Sequence, residues 1–185
     1  RTDFLFMLGA NPLVSHGSAM RVPRVRDDLA AIVKRGGRVL VVDPRRTETA
    51  TAYEHVAVRP DSDSWLMLSL LHVVFAEGLE DRTAIATQTT GIDTLRALCA
   101  DFPPEDTALR TGVTAQTVRA LAREFATART AVAYGRTGAC LGHHGTLVSF
   151  LIDAVNVVTL SALPSLLVSS KTRSAPATSS SSSAS

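Results

Sequence analysis

Aromatic side chains make up only 5% of the 185 residues, too few for the stacking platforms on which single-stranded nucleic acid lies. No charge sign dominates: 19 Lys and Arg against 17 Asp and Glu leave +2. The arginines are scattered among acids, so the basic patch of a nucleic-acid binder is missing. The two cysteines, Cys99 and Cys140, are far apart and in no metal-like spacing. With no leader segment in view, this pattern predicts reduced thiols and a cytoplasmic protein. No clean apolar run reaches the roughly 20 residues needed to cross a bilayer. A span over 147–168 would have to bury Asp153 and accommodate Pro164, so no membrane helix is expected. The chain opens on Arg1-Thr2-Asp3 with no initiating Met and no cleavable basic segment, which reads as a piece of a longer protein. Also lacking is G-x-G-x-x-G: the first loop is GANPLVSHG. That argues against an ordinary NAD site, although Asp43 falls where such a fold puts its ribose acid.

What is present builds a core. Hydrophobic residues are 45% of the chain, and its length suits one domain. Flat apolar runs predict strands over 3–8, 38–42, 54–58 and 130–134. Helices are expected over 25–34, closed by Gly36-Gly37, and over 65–77, 92–102, 114–127 and 145–158. Asp61-Ser62-Asp63-Ser64 supplies cap chemistry for the second and Thr114 for the fourth. Strands alternating with helices predict an α/β domain over 1–160, a Rossmann-like parallel sheet with helices on both faces. From 161 to 185 the chain is rich in Ser, Ala, Thr and Pro and lacks acids, the composition of a disordered tail. No internal repeat is visible.

In an open parallel sheet the ligand lies beyond the carboxyl ends of the strands. The polar punctuation falls there: Gly9-Ala10-Asn11-Pro12, Asp43-Pro44-Arg45-Arg46, Arg59-Pro60-Asp61-Ser62-Asp63 and Gly135-Arg136-Thr137-Gly138. Carboxylates accept from a ribose or from the N–H edge of guanine, and arginines suit phosphates. Any one such loop is ordinary on an α/β scaffold; together on one rim they predict a nucleotide-containing ligand.

The blocks GANP, VVDPRRTETA, VRPDSD and YGRTGACLGHHGTLVSFLIDAVNVVT, in this order, resemble the large molybdopterin oxidoreductase family, which includes formate dehydrogenases and nitrate reductases. The resemblance covers about 3–159. It implies a molybdopterin guanine dinucleotide cofactor carrying Mo or W. Asn11 would lie against the dinucleotide, Asp43 and Arg45 would hold the guanosine end, and Thr47 would support their turn. Asp63 would read the guanine edge, with Arg59 and Pro60 shaping that loop. Gly135, Arg136 and Gly138 would approach the cofactor with their backbone. Asp61 departs from the family's usual glycine, an uncomfortable exchange if φ is positive there. After Thr159 the expected Gly-Asn is replaced by Leu160-Ser161-Ala162, as though the reading frame had shifted.

The resemblance also implies that the metal ligand and any iron–sulfur cysteines belong to an upstream part of a parent chain. The second half of the cofactor would be gripped by a later part. Partners would then be those missing parts and electron-transfer subunits, and this chain would hold no catalytic or metal-ligating residue. Cys99 fits an apolar helix face with Ile92, Leu95 and Phe102 and is expected in the core. Adjacent His143 and His144 suit a loop or helix start better than a chelate. Asp153 and Asn156 are expected to be satisfied within the domain or to face the cofactor. A free-standing guanine-nucleotide-binding module and an inert truncated chain remain the alternatives.

Overall fold

A computed structural model describes residues 1–16 and 23–159; the expected tail over 161–185 lies outside the described residues. Four strands, β1 (Phe4–Leu8), β2 (Arg38–Val42), β3 (Glu54–Val56) and β4 (Ala131–Gly135), form one sheet in the order β3-β2-β1-β4, with every pairing parallel. Between β1 and β2 lie α1 (Pro12–Ser15) and α2 (Val25–Lys34), and α3 (Glu48–Ala52) precedes β3. Five helices separate β3 from β4: α4 (Asp63–Ala76), α5 (Arg82–Gln88), α6 (Ile92–Ala100), α7 (Pro104–Thr111) and α8 (Ala115–Thr127). The short α9 (Thr137–Cys140) and then α10 (Gly145–Val158) follow β4.

The alternation of side chains along a strand divides the core in two. Phe4, Phe6, Leu8, Leu40 and Val42 face α4, α6, α8 and α10. Met7, Val39 and Val41 face Leu29 and Ile32 of α2 and Ala50 of α3. Helices therefore cover both faces, as the flat apolar strands predicted. On the thicker side Phe4, Phe6 and Phe125 meet edge to face at centroid distances of 5.7–6.3 Å. Apolar nearly all round, α4 is buried along almost its whole length against α6, α7, α8 and α10.

Local chemistry sets the boundaries. The Thr114 hydroxyl accepts from Thr117 N–H at 3.2 Å and starts α8. Asp81 caps α5 by accepting from Thr83 and Ala84 N–H, both at 2.9 Å. Gly36, at φ +81°, ends α2 as expected. The second predicted helix starts two residues earlier, since Asp63 and Ser64 already form its first turn. Ser62 does not cap it with its side chain; its hydroxyl donates to Arg59 C=O at 2.6 Å. The expected turn over 135–138 runs into the single-turn α9.

β4 is an edge strand, yet its central outward-facing residue, Ala133, is satisfied. Asn156 of α10 accepts from Ala133 N–H and donates to Ala133 C=O, both at 2.8 Å. It is thus satisfied within the domain, one of the two roles expected for it. The amino end of the sheet is tied by ion pairs. Arg38 joins Glu54 at 2.8 Å and Glu124, and Arg129 joins Asp3 at 2.8 Å. Among the described residues no helix is long and apolar enough to cross a membrane.

Candidate functional site

Strand order reverses at β1: the chain runs on to β2 on one side and returns through β4 on the other. Such a switch point opens a crevice beyond the strand ends. It is present here as a cleft of about 120 Å³ lined by Gly9, Ala10, Asn11, Tyr134, Arg136 and Thr137 among others.

Its walls touch backbone to backbone. Arg136 N–H donates to Leu8 C=O at 3.0 Å and Gly138 N–H to Gly9 C=O at 3.1 Å. A Cβ on Gly9, whose φ is +55°, would stand 2.1 Å from Ala139 N, and one on Gly138 would stand 2.8 Å from Gly9 Cα. A Cβ on Gly135 would meet Ile152 Cδ1 at 2.2 Å. Gly9 and Gly138 thus let the two loops meet backbone to backbone, a packing role that the sequence did not reveal.

Asn11 is half-buried and joins the first strand end to α3. Its Oδ1 accepts from Thr49 N–H at 3.2 Å and Thr49 Oγ1 at 2.8 Å, and its Nδ2 donates to Glu48 at 2.7 Å. Asp43 folds its own loop: Oδ1 accepts from Arg45 N–H at 2.8 Å, while its C=O lies 2.9 Å from His55 Nε2. Arg45 is exposed. Thr47 is buried and starts α3 by accepting from Ala50 N–H at 3.1 Å. Arg59 is exposed, with its N–H donating to Thr111 C=O at 2.8 Å and its side chain over Gly112.

Asp63 is buried in the first turn of α4, only 6% exposed. Burial pushes its carboxyl up to about 6, and the nearby carboxylates of Asp43 and Asp61 push the same way. Asp43 and Asp63, on separate loops, therefore share one electrostatic neighbourhood. Among the described residues, none of Arg45, Arg46, Arg59 and Arg136 forms an ion pair.

Asp61 does stand at positive φ, +60°, where its substitution for glycine was expected to be uncomfortable. It is held there by His143, whose N–H donates to Oδ1 at 2.9 Å and whose Nδ1 lies 2.5 Å from Oδ2. That contact keeps the Asp61 carboxyl below the usual range. His144 is the residue preceding α10, so both histidines belong to the loop and helix start, as expected. Cys99 is in the core and burial raises its thiol to about 12. Among the described residues no three His, Cys, Asp or Glu side chains lie together as a metal site. Tyr134 and the Asp61–His143 pair were not singled out from sequence; the loop residues Asp61 and His143 are separated by 82 positions.

An all-parallel α/β domain with a ligand cleft at its switch point is what the fold and the strand-end loops define. More specifically, the chain belongs to the molybdopterin oxidoreductase family: residues 1–100 match the profile of that family. It is 33% identical over 131 residues to formate dehydrogenase H of Escherichia coli (strain K12), covering 70% of this chain and 18% of that protein. It is 30% identical over 161 residues to the dimethyl sulfoxide/trimethylamine N-oxide reductase of Cereibacter sphaeroides, covering 82% of this chain and 20% of that protein. The fold is also that of acetylene hydratase from Pelobacter acetylenicus, with a TM-score of 0.75 and 23% identity over 88% of this chain and 22% of that one. The chain spans about a fifth of the length of the curated relatives it matches. Family membership implies a molybdopterin cofactor with Mo or W. The residues fit such an anionic group, because the cleft brings together an uncommitted guanidinium, Arg136, and a buried hydroxyl, Tyr134 Oη, with no partner among the described residues.

Proposed function

We propose that this chain supplies one guanosine-end site for a molybdopterin guanine dinucleotide in a molybdopterin-dependent oxidoreductase of the formate dehydrogenase or nitrate reductase kind. The observation that carries the reading is that the charge of Asp43, at the end of β2, reaches the buried Asp63 in the first turn of α4, while Arg59 and Arg136 on the strand-end loops form no ion pair among the described residues. The order β3-β2-β1-β4, shared with Rossmann-like dinucleotide-binding sheets, supports it.

Asp63 would accept from the N–H edge of guanine. The donors of a base favour the ionised form of a carboxyl that burial otherwise holds part-protonated near pH 6. Asp43 would orient the ribose while its Oδ1 keeps the Arg45 turn closed, and Arg45, Arg59 and Arg136 would face the phosphates. Asn11 and Thr47 would act behind them, holding the first loop and α3 together. When bound, the cofactor supplies two-electron chemistry at Mo or W. This chain binds and orients its nucleotide end; substrate, metal ligand, iron–sulfur clusters and electron-transfer partners belong to the rest of the parent. Both cysteines are free, which supports a reducing, cytoplasmic setting.

Calorimetric titration with GDP, a surrogate for the nucleotide end, tests the assignment. The unaltered chain is expected to bind, and Asp43→Ala and Asp63→Ala are expected to weaken binding by about tenfold or more. Equal heats from all three proteins would sink these residue roles.

A further inference from the structure

Tyr134 lies on β4 with its ring on the thinner face of the sheet, packed with the cluster of Met7, Ala10 and Leu29. Its Oη is buried and has no hydrogen-bond partner among the described residues. Buried hydroxyls are nearly always partnered, so an orphan of this kind calls for a ligand or an ordered water. The residue is also part of the wall of the switch-point cleft, beside Gly9, Asn11, Arg136 and Thr137. Among the described residues no acidic side chain lines that cleft. Its ionic character is set by Arg136, which forms no ion pair among the described residues. A cation, an unpaired hydroxyl donor and no carboxylate select an anionic oxygen over a cation or an apolar group.

We propose that Tyr134 is a ligand-binding residue whose hydroxyl donates to a phosphate oxygen seated in the switch-point cleft beside Arg136. This rests on the reading that the rim binds a guanosine diphosphate moiety, and it divides that rim by chemistry. The Asp43–Asp63 side takes the nucleoside and the Tyr134–Arg136 side takes the anion. Tyr134 is anchored by its ring against the Met7, Ala10 and Leu29 cluster, so its buried hydroxyl is held in place beside the cleft.

The test is Tyr134→Phe, which removes the hydroxyl and keeps the packed ring. The full 185-residue chain is titrated with GDP and with guanosine, and thermal melting without ligand reports the fold. GDP affinity is expected to fall by about tenfold, the size of a hydrogen bond to a charged group, while guanosine affinity and the melting temperature hold. Equal GDP affinities in the two proteins would mean that Tyr134 Oη meets water alone, overturning the assignment and leaving the guanosine-end reading intact. Equal losses for GDP and guanosine would also overturn it, since the effect would not be on the phosphate. Failure of the unaltered chain to bind GDP would overturn the guanosine-end reading, and this assignment with it.

Discussion

Asp63 holds its proton more tightly in the folded chain than an exposed carboxyl does, because it is shut away from water and shares its surroundings with Asp43 and Asp61. The sign of the consequence is fixed. Unfolded, the group titrates near 3.9; folded, it titrates at about 6. Its contribution to stability is therefore complete below about pH 4 and is lost as pH rises through 6, amounting by pH 8 to roughly 2–3 kcal/mol. Asp63→Asn, which has no charge to bury, should flatten that dependence. Urea denaturation at pH 5 and pH 8 should show the variant gaining on the unaltered chain by roughly 1.4 kcal/mol between the two; parallel behaviour would refute the account. Asp43 was legible as a candidate in the sequence because it directly follows an apolar strand and precedes a proline, and Asp63 because it closes the polar run Asp61-Ser62-Asp63 ahead of an apolar helix. The Asp61–His143 contact was not, since nothing local joins residues 82 positions apart. Nor was Tyr134, whose orphan hydroxyl exists only once β4 lies beside β1 and the cleft closes around it.

At the level of elements, β1 and β4 are joined beyond their hydrogen-bonded register by the contact of their following loops. Gly9 and Gly138 meet there without side chains. Gly9→Ala must push a methyl into the Ala139 backbone from a left-handed φ and is expected to cost roughly 2–4 kcal/mol. Gly36→Ala, at φ +81° with nothing within 4 Å of the new Cβ, should cost only about 1 kcal/mol. Denaturant midpoints of the two variants compare steric closure with backbone preference alone, and equal shifts would refute the closure. Three strands could be read from apolar runs, while the third, expected over 54–58, is the short, partly exposed Glu54–Val56; α2, α4, α6, α8 and α10 could be read from their spacing and caps. α5 and α7 were missed for different reasons. The seven residues of α5 are short and Thr-rich, carried by the Asp81 cap. In α7 a prolyl pair reads as a break, although Pro104 sits in the first turn, where the absent N–H is harmless. The sequence placed the strand-end loops at one rim but gave cofactor contact as the reason for Gly135 and Gly138. Packing of Gly138 on the Gly9 backbone is a reason of its own for that glycine.

Across the whole molecule, α10 binds the C-terminal part of the described chain to everything before it. Val148, Leu151, Ile152 and Val155 are buried in the main core, so this helix finds apolar partners within the chain itself. Its Asn156 amide does a second task by completing the hydrogen bonding of Ala133. Asn156→Leu would keep an apolar side chain of similar size there but leave the Ala133 N–H and C=O without partners. A loss of roughly 2–4 kcal/mol is expected, measured by urea denaturation; an unchanged midpoint would mean that water replaces the amide. The same two bonds set the two borders of the sheet apart. On the β4 side the border is clasped by a side chain from a helix, while among the described residues no strand lies outside β3. A further strand laid beside β4 would first have to displace the Asn156 amide from Ala133, whereas no such side-chain clasp is found on β3 among the described residues.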